Sequence, residues 1–269
     1  MSIKLVAIDI DGTLINSNHQ LTEKTIEVIK KKAAEGMKIV IASGRPLIGM
    51  LEVVEQLGLT TEHDYIISYN GALAVKAHNH EPFVEHSLTY DDLVSLNALS
   101  KEVNAHYHYA DLEAIYTPHR RINPYSVHEV TLTGMPLEHL PFEEVDPSKS
   151  ICKLMFIDPE EEITRIMKEI PEYFHDRYNI VRSAPFFLEF LNKDASKGLT
   201  LKNLAEKLAI DPSEIMAIGD NENDISMLEY AGLGVAMGNA TEKTKEYAQK
   251  ITLSNDEDGV AYALENFTK

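Results

Sequence analysis

Short apolar strands alternate with amphipathic helices at both ends of this 269-residue chain, and this alternation restricts the fold more than any other feature. The run over residues 4–10 is rich in Val and Ile, and the helical pattern after it is bounded by Thr22 and Gly36, which suit helix caps. Strands and helices in this order form a parallel, doubly wound sheet. The predicted strands are residues 4–10, 37–42, 65–68, 215–218 and 234–237, and the predicted helices are residues 23–35, 46–58, 197–208, 224–230 and 241–249.

The middle of the chain has a different texture, because it is rich in aromatic residues and histidines. Strand-like runs occur at residues 105–109, 151–157 and 186–191, and helical patterns occur at residues 90–103 and 159–170. We therefore predict an α/β core formed by residues 1–83 and 192–269, with residues 84–191 inserted into it as an α+β domain.

The charge of the chain restricts its partners. It has 25 Lys and Arg against 43 Asp and Glu, for a formal net charge of -18. This charge repels nucleic acids and anionic membranes, so neither is an expected partner. A small anionic substrate would need a local cluster of donors. Oligomeric state is not indicated by the sequence.

Neither a signal peptide nor a run long enough to span a membrane is visible. The single cysteine, Cys152, excludes a disulfide framework and a Cys-rich metal site. Its apolar, strand-like surroundings favour a packing role over a nucleophilic one. We expect a cytoplasmic protein.

Two carboxylates, Asp9 and Asp11, follow the first strand in the motif Asp-Ile-Asp-Gly-Thr. Ligands of open α/β sheets bind outside the carboxyl ends of the strands. One carboxylate there can attack phosphorus, while the other protonates the leaving oxygen and later deprotonates the water that hydrolyses the intermediate. An ordinary Asp-Gly turn after a strand is the alternative interpretation.

Two further elements are compatible with phosphate binding. Ser43 and Gly44 stand at the end of the second strand and before a helix, where a hydroxyl and free amides can face an anion, although an ordinary N-cap serine gives the same pattern. Lys197 opens a helix after the insertion and can neutralise phosphoryl charge. Arg45 either contacts the substrate or pairs with an acid.

The segment Gly-Asp-Asn-Glu-Asn-Asp over residues 219–224 directly follows an apolar strand and is the most specific signal. Mg²⁺ prefers oxygen ligands and needs only one or two protein carboxylates, so Asp220 is the natural ligand. The amide of Asn223 can donate to phosphate. Asp224 either orients ligands or caps the next helix, and the sequence does not decide between these roles.

Together these elements resemble the haloacid dehalogenase superfamily, whose motifs are Asp-x-Asp-x-Thr, a strand-end Ser or Thr, a Lys, and Gly-Asp-x-x-x-Asp. The match is closer to its Cof-type subfamily, and particularly to a sugar phosphatase of that group, because Ser43-Gly44-Arg45-Pro46 and Tyr69-Asn70-Gly71-Ala72 are also similar. The resemblance spans essentially the whole chain. It implies a Rossmann-like core with a mobile C2-type cap, a Mg²⁺ ion and hydrolysis of small phosphorylated metabolites, most of all sugar phosphates.

The resemblance also implies roles for particular residues. Asp9 would be the nucleophile and a metal ligand, Asp11 the acid and base with its backbone carbonyl on the metal, and Asp220 the remaining protein ligand. The phosphate would be held by the backbone of Ile10, the pair Ser43 and Gly44, Lys197 and Asn223. Asn70 matches a position beside the site, although Asn-Gly is also a strong hairpin signal.

Several alternatives remain open at this point. A phosphotransferase or mutase of the same superfamily would share Asp9 and the metal, and a binding protein that does not turn over would need only the pocket. The histidines at 106, 108, 119 and 128 are read as packing or polar surface, not as a metal site. The loop over residues 116–121, with Tyr116 and Arg120, is a candidate for recognising the substrate, or an ordinary solvated loop. The natural substrate is not predicted.

Overall fold

The computed structural model describes residues 2–268 and divides the chain into two units. The core unit is the chain through Glu85 together with the chain from Ser196 onward, and the inserted unit is His86–Ala195. The strands are β1 (Leu5–Ile8), β2 (Lys38–Ala42), β3 (Tyr65–Ser68), β4 (Leu73–Lys76), β5 (Pro82–Glu85), β6 (Tyr107–Ala110), β7 (Ile115–Thr117), β8 (Leu137–His139), β9 (Lys153–Ile157), β10 (Tyr178–Ala184), β11 (Phe187–Asn192), β12 (Ile215–Gly219), β13 (Leu233–Ala236) and β14 (Lys250–Ile251). The helices are α1 (Glu23–Ala34), α2 (Leu51–Gln56), α3 (Tyr90–Glu102), α4 (Pro124–Thr133), α5 (Glu160–Glu169), α6 (Glu172–Arg177), α7 (Lys197–Lys207), α8 (Ile225–Tyr230), α9 (Glu242–Glu246) and α10 (Gly259–Phe267).

The core sheet has the strand order β14-β13-β12-β1-β2-β3-β4-β5. The strands from β14 to β3 are parallel, and β4 and β5 continue the sheet in antiparallel pairs. Side chains of β1 alternate between two apolar clusters, with Val6 and Ile8 in one and Leu5 and Ala7 in the other. Because every residue of β1 is buried, both faces of the sheet are covered, as the α/β class requires. The predicted fold class is confirmed.

The inserted unit is an α+β layer with its own hydrophobic core. Its six-stranded sheet has the order β10-β11-β9-β6-β7-β8 and is antiparallel except where β7 pairs with β8. Leu93, Leu96, Phe156, Ile163 and Phe190 are among the buried residues that join α3 and α5 to this sheet. The thiol of Cys152 is buried and forms no disulfide within residues 2–268, in agreement with a packing role.

Three histidines of the inserted unit, His106, His108 and His119, make separate contacts with neighbouring residues. His108 is buried beside Ser126, and burial lowers its pKa to about 3, so the imidazole is neutral. His106 pairs through Nδ1 with Asp158, while the Nε2 of His119 accepts from the backbone amide of Tyr107. The expectation of packing and polar roles agrees with these contacts, although His108 is not on an exposed strand face.

Tyr116 is also buried, so the interpretation of residues 116–121 as a solvated loop does not hold at this residue, and a role in substrate recognition stays a prediction. Its ring stacks on Tyr109 with the centroids 5.4 Å apart. The physical reason is that Tyr116 lies within β7, so its side chain points to one face of the sheet and is packed there. Arg120 and Arg121 are exposed.

The predicted elements agree with the structure to within a few residues, apart from the start of the second helix. The side chain of Thr22 caps α1 by accepting from the amide of Thr25, and Gly36 follows this helix with a φ of 94°. Residues 47–50 after Pro46 form a 3₁₀ turn that leads into α2, so the helix is shorter than predicted. Among residues 2–268, no helix is long and apolar enough to cross a bilayer.

Candidate active site

The predicted site residues of the core converge at one edge of its sheet. Asp9 follows β1, Ser43 follows β2 and Asp220 follows β12, and these three neighbouring strands are parallel. Their carboxyl ends therefore meet at the same edge. The amide of Asp9 donates to the carbonyl of Ile218 over 3.1 Å, which extends the pairing of β1 and β12 up to the site.

A buried lysine joins two of the carboxylates. The Nζ of Lys197 lies 2.6 Å from Oδ1 of Asp9 and 2.6 Å from Oδ1 of Asp224. The side chains of Lys197 and Asp224 are fully buried, and that of Asp9 is 7% exposed. Burial removes solvent screening, so these charge-assisted bonds hold Asp9 in one orientation.

Asp224 connects the lysine to the loop after β12. Its Oδ2 accepts from the amides of Asp220 and Asn221 over 2.9 and 3.1 Å, while its Oδ1 accepts from Lys197. A Cβ on Gly219 would lie 2.5 Å from the Asp224 side chain, so only glycine allows this close approach. Asp224 therefore both caps the turn before α8 and positions Lys197, which answers the question left open by the sequence.

The loop after β1 brings Asp220 against the first motif. Thr13 donates its hydroxyl to Oδ1 of Asp220 over 3.0 Å. Gly12 has a φ of 77°, and a Cβ there would lie 2.5 Å from Oδ2 of Asp220. The loop is closed by the carbonyl of Ile10, which accepts from the amides of Thr13, Leu14 and Ile15. Thr13 was not among the predicted site residues, although its place in the Asp-x-Asp-x-Thr motif was a signal for a role.

Two carboxylates of this cluster, Asp9 and Asp220, hold protons more tightly than usual. The pKa of Asp9 is raised to about 8, chiefly by burial and then by the charge of Asp224, although Lys197 opposes this shift. The pKa of Asp220 is raised to about 6 by the same two causes. Burial lowers the pKa of Lys197, whereas Asp9 and Asp224 raise it. The net shift is upward, so the lysine is charged.

This cluster fits a divalent cation by its chemistry. Oxygens of Asp9, Asp220 and Asp224 all lie within 4.8 Å of one another, and no other such group of potential metal ligands occurs in the described chain. One lysine faces three carboxylates, which leaves a surplus of negative charge. Within residues 2–268, Oδ2 of Asp9 and Oδ2 of Asp220 make no hydrogen bond, whereas both oxygens of Asp224 are engaged. Hard oxygen donors with this charge suit Mg²⁺.

Asp11 lies outside this buried cluster and pairs with Arg45. The guanidinium donates from Nε and Nη2 to the two oxygens of Asp11 over 2.8 and 2.6 Å, and from Nη1 to the carbonyl of Gly49 over 3.2 Å. The side chain of Asp11 is 50% exposed. Two carboxylates that are two residues apart therefore have opposite environments, one buried and one in contact with solvent. Of the two roles predicted for Arg45, a contact with the substrate or a pair with an acid, the structure shows the pair with an acid, Asp11.

The remaining predicted residues form the rim of the site. Ser43 is buried, and its hydroxyl accepts from the amide of Arg45 over 3.2 Å. Asn223 donates its side-chain amide to Oδ1 of Asn70 over 3.0 Å, and a Cβ on Gly44 would lie 3.0 Å from the Asn70 side chain. The loops that follow β2, β3 and β12 are therefore in direct contact.

Asn239 is a site residue that the sequence analysis missed. It follows β13 and donates its side-chain amide to the carbonyl of Gly12 over 2.8 Å, and its Oδ1 accepts from the amide of Asn255. Residues that follow a parallel strand are candidate site residues, and this rule, which identified Asp9 and Asp220, also applies to the residues after β13. The contact between Asn239 and Gly12 could not be predicted, because 227 residues separate them in the sequence.

Many known proteins have a similar sequence and fold, and three of them illustrate the range. The model of the haloacid dehalogenase-like hydrolase family matches residues 6–264. The "Putative phosphatase YxeH" of Bacillus subtilis (strain 168) is 45% identical over 261 residues, which cover 97% of each chain. A haloacid dehalogenase-like hydrolase from Bacteroides thetaiotaomicron is 32% identical with a TM-score of 0.87, over 98% of this chain and 99% of that chain. The HAD subclass IIB sugar phosphatase BT4131 is 28% identical with a TM-score of 0.75, over 98% of both chains. This chain belongs to the haloacid dehalogenase-like hydrolase family.

Proposed function

We propose that this hydrolase is a Mg²⁺-dependent phosphatase that removes phosphate from small phosphorylated metabolites, and from sugar phosphates in particular. The reaction would pass through an aspartyl-phosphate on Asp9. The family supports hydrolysis, and the sugar phosphatase BT4131, which shares the fold over 98% of both chains, supports this substrate class.

The observation that carries the proposal is the asymmetric environment of Asp9. One carboxylate oxygen is fixed by Lys197 over 2.6 Å, and the other makes no hydrogen bond among the described residues. A nucleophile needs one free oxygen with a defined orientation, and this arrangement supplies it. Attack by that oxygen on phosphorus forms the Asp9–phosphate bond and breaks the bond between phosphorus and the alcohol oxygen of the substrate.

Asp11 is the residue that we assign to proton transfer. Its protonated form gives a proton to the departing alcohol oxygen, and its carboxylate then takes one from the water that hydrolyses the aspartyl-phosphate. Half of this side chain is exposed, which allows proton exchange with solvent. The bonds from Arg45 must loosen for the proton to be carried, so Arg45 acts as a positioning residue for Asp11.

The phosphoryl oxygens would be held by donors on three loops. Lys197 supplies a buried positive charge next to Asp9. We assign the hydroxyl of Ser43, the adjacent backbone at Gly44, the backbone of Ile10 and the side-chain amide of Asn223 to the same task. Preorganised donors stabilise the negative charge on the transferring phosphoryl group. They allow an anionic substrate to bind although the protein itself is negatively charged.

Asp9, Asp220 and the backbone carbonyl of Asp11 are the groups that we assign to Mg²⁺. The ion, when bound, would neutralise charge on the phosphoryl group. Asp224 takes the supporting role, because its two oxygens already accept from Lys197 and from two backbone amides. Thr13 orients Asp220 through its hydroxyl.

The proposed function is tested by measuring phosphate release from a panel of sugar phosphates, nucleotides and pyridoxal phosphate with purified protein and Mg²⁺. Release from at least one sugar phosphate without an added acceptor supports it. A requirement for an acceptor alcohol would indicate a phosphotransferase or mutase instead. Binding without release over the whole panel would indicate a protein that does not turn over.

Mg²⁺ should stabilise the protein more at about pH 8 than at about pH 5. The pKa of Asp9 rises from 3.8 to about 8 on folding, so the folded chain binds more protons than the unfolded chain between these values. Without metal, the free energy of unfolding therefore falls as the pH rises through this window. Mg²⁺ replaces these protons as the carboxylates ionise. At a hundredfold excess over its Kd, we expect Mg²⁺ to raise Tm by about 5 °C or more at pH 8, and by less at pH 5.

Differential scanning calorimetry at the two pH values measures this effect. The variant Asp220→Asn should lose most of the response to Mg²⁺, while Asp176→Asn, an exposed acid on α6, should keep it. Equal shifts in Tm at both pH values would contradict a metal site formed by Asp9 and Asp220.

The variant Asp11→Asn should lose about 10²- to 10⁴-fold in kcat for alkyl phosphates such as sugar phosphates. An aryl phosphate has a leaving group that needs little protonation, so the formation of the aspartyl-phosphate should be affected less. Rapid-quench measurement of the first turnover with both substrate types separates this step from hydrolysis. The same proportional loss for aryl and alkyl substrates would exclude Asp11 as the acid.

A further inference from the structure

The three residues that follow β3 all have a left-handed backbone, and we call them the 69–71 turn. The φ angles of Tyr69, Asn70 and Gly71 are 51°, 54° and 101°. Such an angle costs glycine little and is tolerated by asparagine, but it is unfavourable for a bulky residue such as tyrosine. Backbone strain of this kind persists only where the surrounding structure holds it, and it is concentrated at functional sites.

The 69–71 turn is held by backbone bonds to the loop after β2. The amide of Tyr69 donates to the carbonyl of Arg45, and the amide of Asn70 donates to the carbonyl of Ser43, each over 3.0 Å. Ser43 belongs to the residues that we assign to phosphate binding. Because these bonds use backbone atoms alone, they remain when the side chain of Asn70 is changed, as long as the new residue accepts a left-handed backbone.

The side chain of Asn70 lies between two other groups that we assign to phosphate binding. Its Oδ1 accepts from Nδ2 of Asn223 over 3.0 Å. A Cβ on Gly44 would lie 3.0 Å from both Nδ2 and Oδ1 of Asn70, so the carboxamide of Asn70 rests directly against the backbone at this glycine. The side chain of Asn70 therefore connects the loop after β2 with the loop after β12.

The bond to Asn70 determines which end of the Asn223 carboxamide is available to a ligand. Within residues 2–268, it is the only hydrogen bond of the Asn223 side chain. A carboxamide has two N–H donors at one end and a carbonyl acceptor at the other. The N–H end attracts the oxygens of a phosphate, whereas the carbonyl end repels them. Once one N–H of Asn223 is bonded to Asn70, the orientation of its second N–H is fixed.

We propose that Asn70 is a positioning residue, which orients the side-chain amide of Asn223 so that its second N–H faces the phosphoryl group of the substrate. The inference rests on the proposed function, because it takes Asn223 as a donor to that group. Position 70 needs a left-handed backbone and a side-chain acceptor of short reach, and asparagine supplies both.

The experiment titrates inorganic phosphate into the full-length protein in the presence of Mg²⁺ and measures Kd by calorimetry. Asn70→Gly removes the side chain and keeps the left-handed turn, and it should bind phosphate about three- to tenfold more weakly. Asn223→Ala removes the donor itself and should bind phosphate about ten- to hundredfold more weakly, because the lost bond is charge-assisted. Since Asn70 acts through Asn223, the Kd of the double variant should equal that of Asn223→Ala to within about twofold.

Asn104→Gly is the matched control, since Asn104 is an exposed asparagine of the inserted unit with a φ of 51°. Its replacement should leave the phosphate affinity unchanged. Asn70→Gly should change Tm by less than about 3 °C, because the backbone bonds of the 69–71 turn remain. A larger fall in Tm, or effects that multiply in the double variant, would show that Asn70 only supports the loop and would overturn the proposal. So would an unchanged phosphate affinity of Asn70→Gly, or no binding of phosphate by the unaltered protein.

NMR of the Asn223 side-chain NH₂ group reports the bond without any ligand. One of its two protons should be shifted downfield by the bond to Asn70. This shift should be lost in Asn70→Gly and kept or increased in Asn70→Asp, which retains an oxygen acceptor and also tolerates a left-handed backbone. Loss of the shift in Asn70→Asp would mean that residue 70 is the donor, which contradicts the proposal.

Neither the titration nor the NMR measurement requires turnover. A protein that releases no phosphate from any substrate of the panel would refute the proposed function. The positioning of Asn223 by Asn70 would then still be decided by the Kd for inorganic phosphate and by the NH₂ signals, so the two proposals fail separately.

Discussion

Replacement of Asp9 by asparagine should reduce phosphate release by about 10³-fold or more, because an amide cannot form the acyl-phosphate. The substitution is nearly isosteric, so the fold should remain intact. Burial and Asp224 raise the pKa of Asp9 to about 8, which means that its ionised form destabilises the folded protein. Without metal, Asp9→Asn should therefore be at least as stable as the unaltered protein at pH 8.

The measurement combines a phosphate-release assay with calorimetry on the same preparations. Asp176→Asn, which changes an exposed carboxylate of α6, is the control and should retain full activity. Mass spectrometry of acid-quenched reactions should find a phosphorylated peptide containing residue 9 in the unaltered protein and none in Asp9→Asn. Substantial activity of clean Asp9→Asn protein would rule out the covalent route.

The variant Lys197→Met should be impaired in both turnover and stability. Loss of one preorganised donor to a transferring phosphoryl group costs about 10²- to 10³-fold in kcat. Removal of one partner of a buried ion pair costs about 3–5 kcal/mol when the other charge stays behind. Here Asp9 can take up a proton instead, because its pKa is raised to about 8, so we expect the destabilisation to be larger at pH 8 than at pH 5.

Lys202→Met on the same helix is the matched control. Lys202 is 49% exposed and lies 3.9 Å from Glu206, so its replacement should leave kcat and Tm nearly unchanged. If Lys197→Met kept its kcat while losing stability, the lysine would be structural and would not be part of the catalytic machinery. If Lys197→Met kept both its kcat and its stability, the buried bonds to Asp9 and Asp224 would contribute neither to catalysis nor to the fold.

The parts of the site that follow strands were predictable from the sequence, because strand order and direction determine where strand ends meet. Asp9, Ser43 and Asp220 are brought together by the pairing of β1 with β2 and β12, which the alternation of strands and helices already favours. Gly12 and Gly219 belong to motifs that the sequence already showed. Only the structure explains why these residues are glycines, because a Cβ at either position would lie 2.5 Å from the side chain of Asp220 or Asp224.

Contacts between loops could not be predicted in the same way. Arg45 and Asp11 come from different loops, and the sequence gives only their opposite charges. Asp224 contacts both Lys197, over 2.6 Å, and the amide of Asp220, over 2.9 Å, and the sequence does not specify either contact. The hairpin of β4 and β5 was missed because its residues 78–81 are polar, although Asn70-Gly71 does precede an antiparallel strand as one interpretation held.

The insertion between β5 and α7 has a consequence for how the chain folds. The core sheet pairs β1 with β12 across more than two hundred residues, so this pairing must wait until most of the chain is available. The inserted unit can form earlier, because all its strands pair within His86–Ala195. Its two ends are held together by a bond of 2.9 Å from the Asn192 side-chain amide to the carbonyl of Ser87. Once folded, it works as a short connection between β5 and α7, and removes a loop-closure cost on the order of 4 kcal/mol from the assembly of the core.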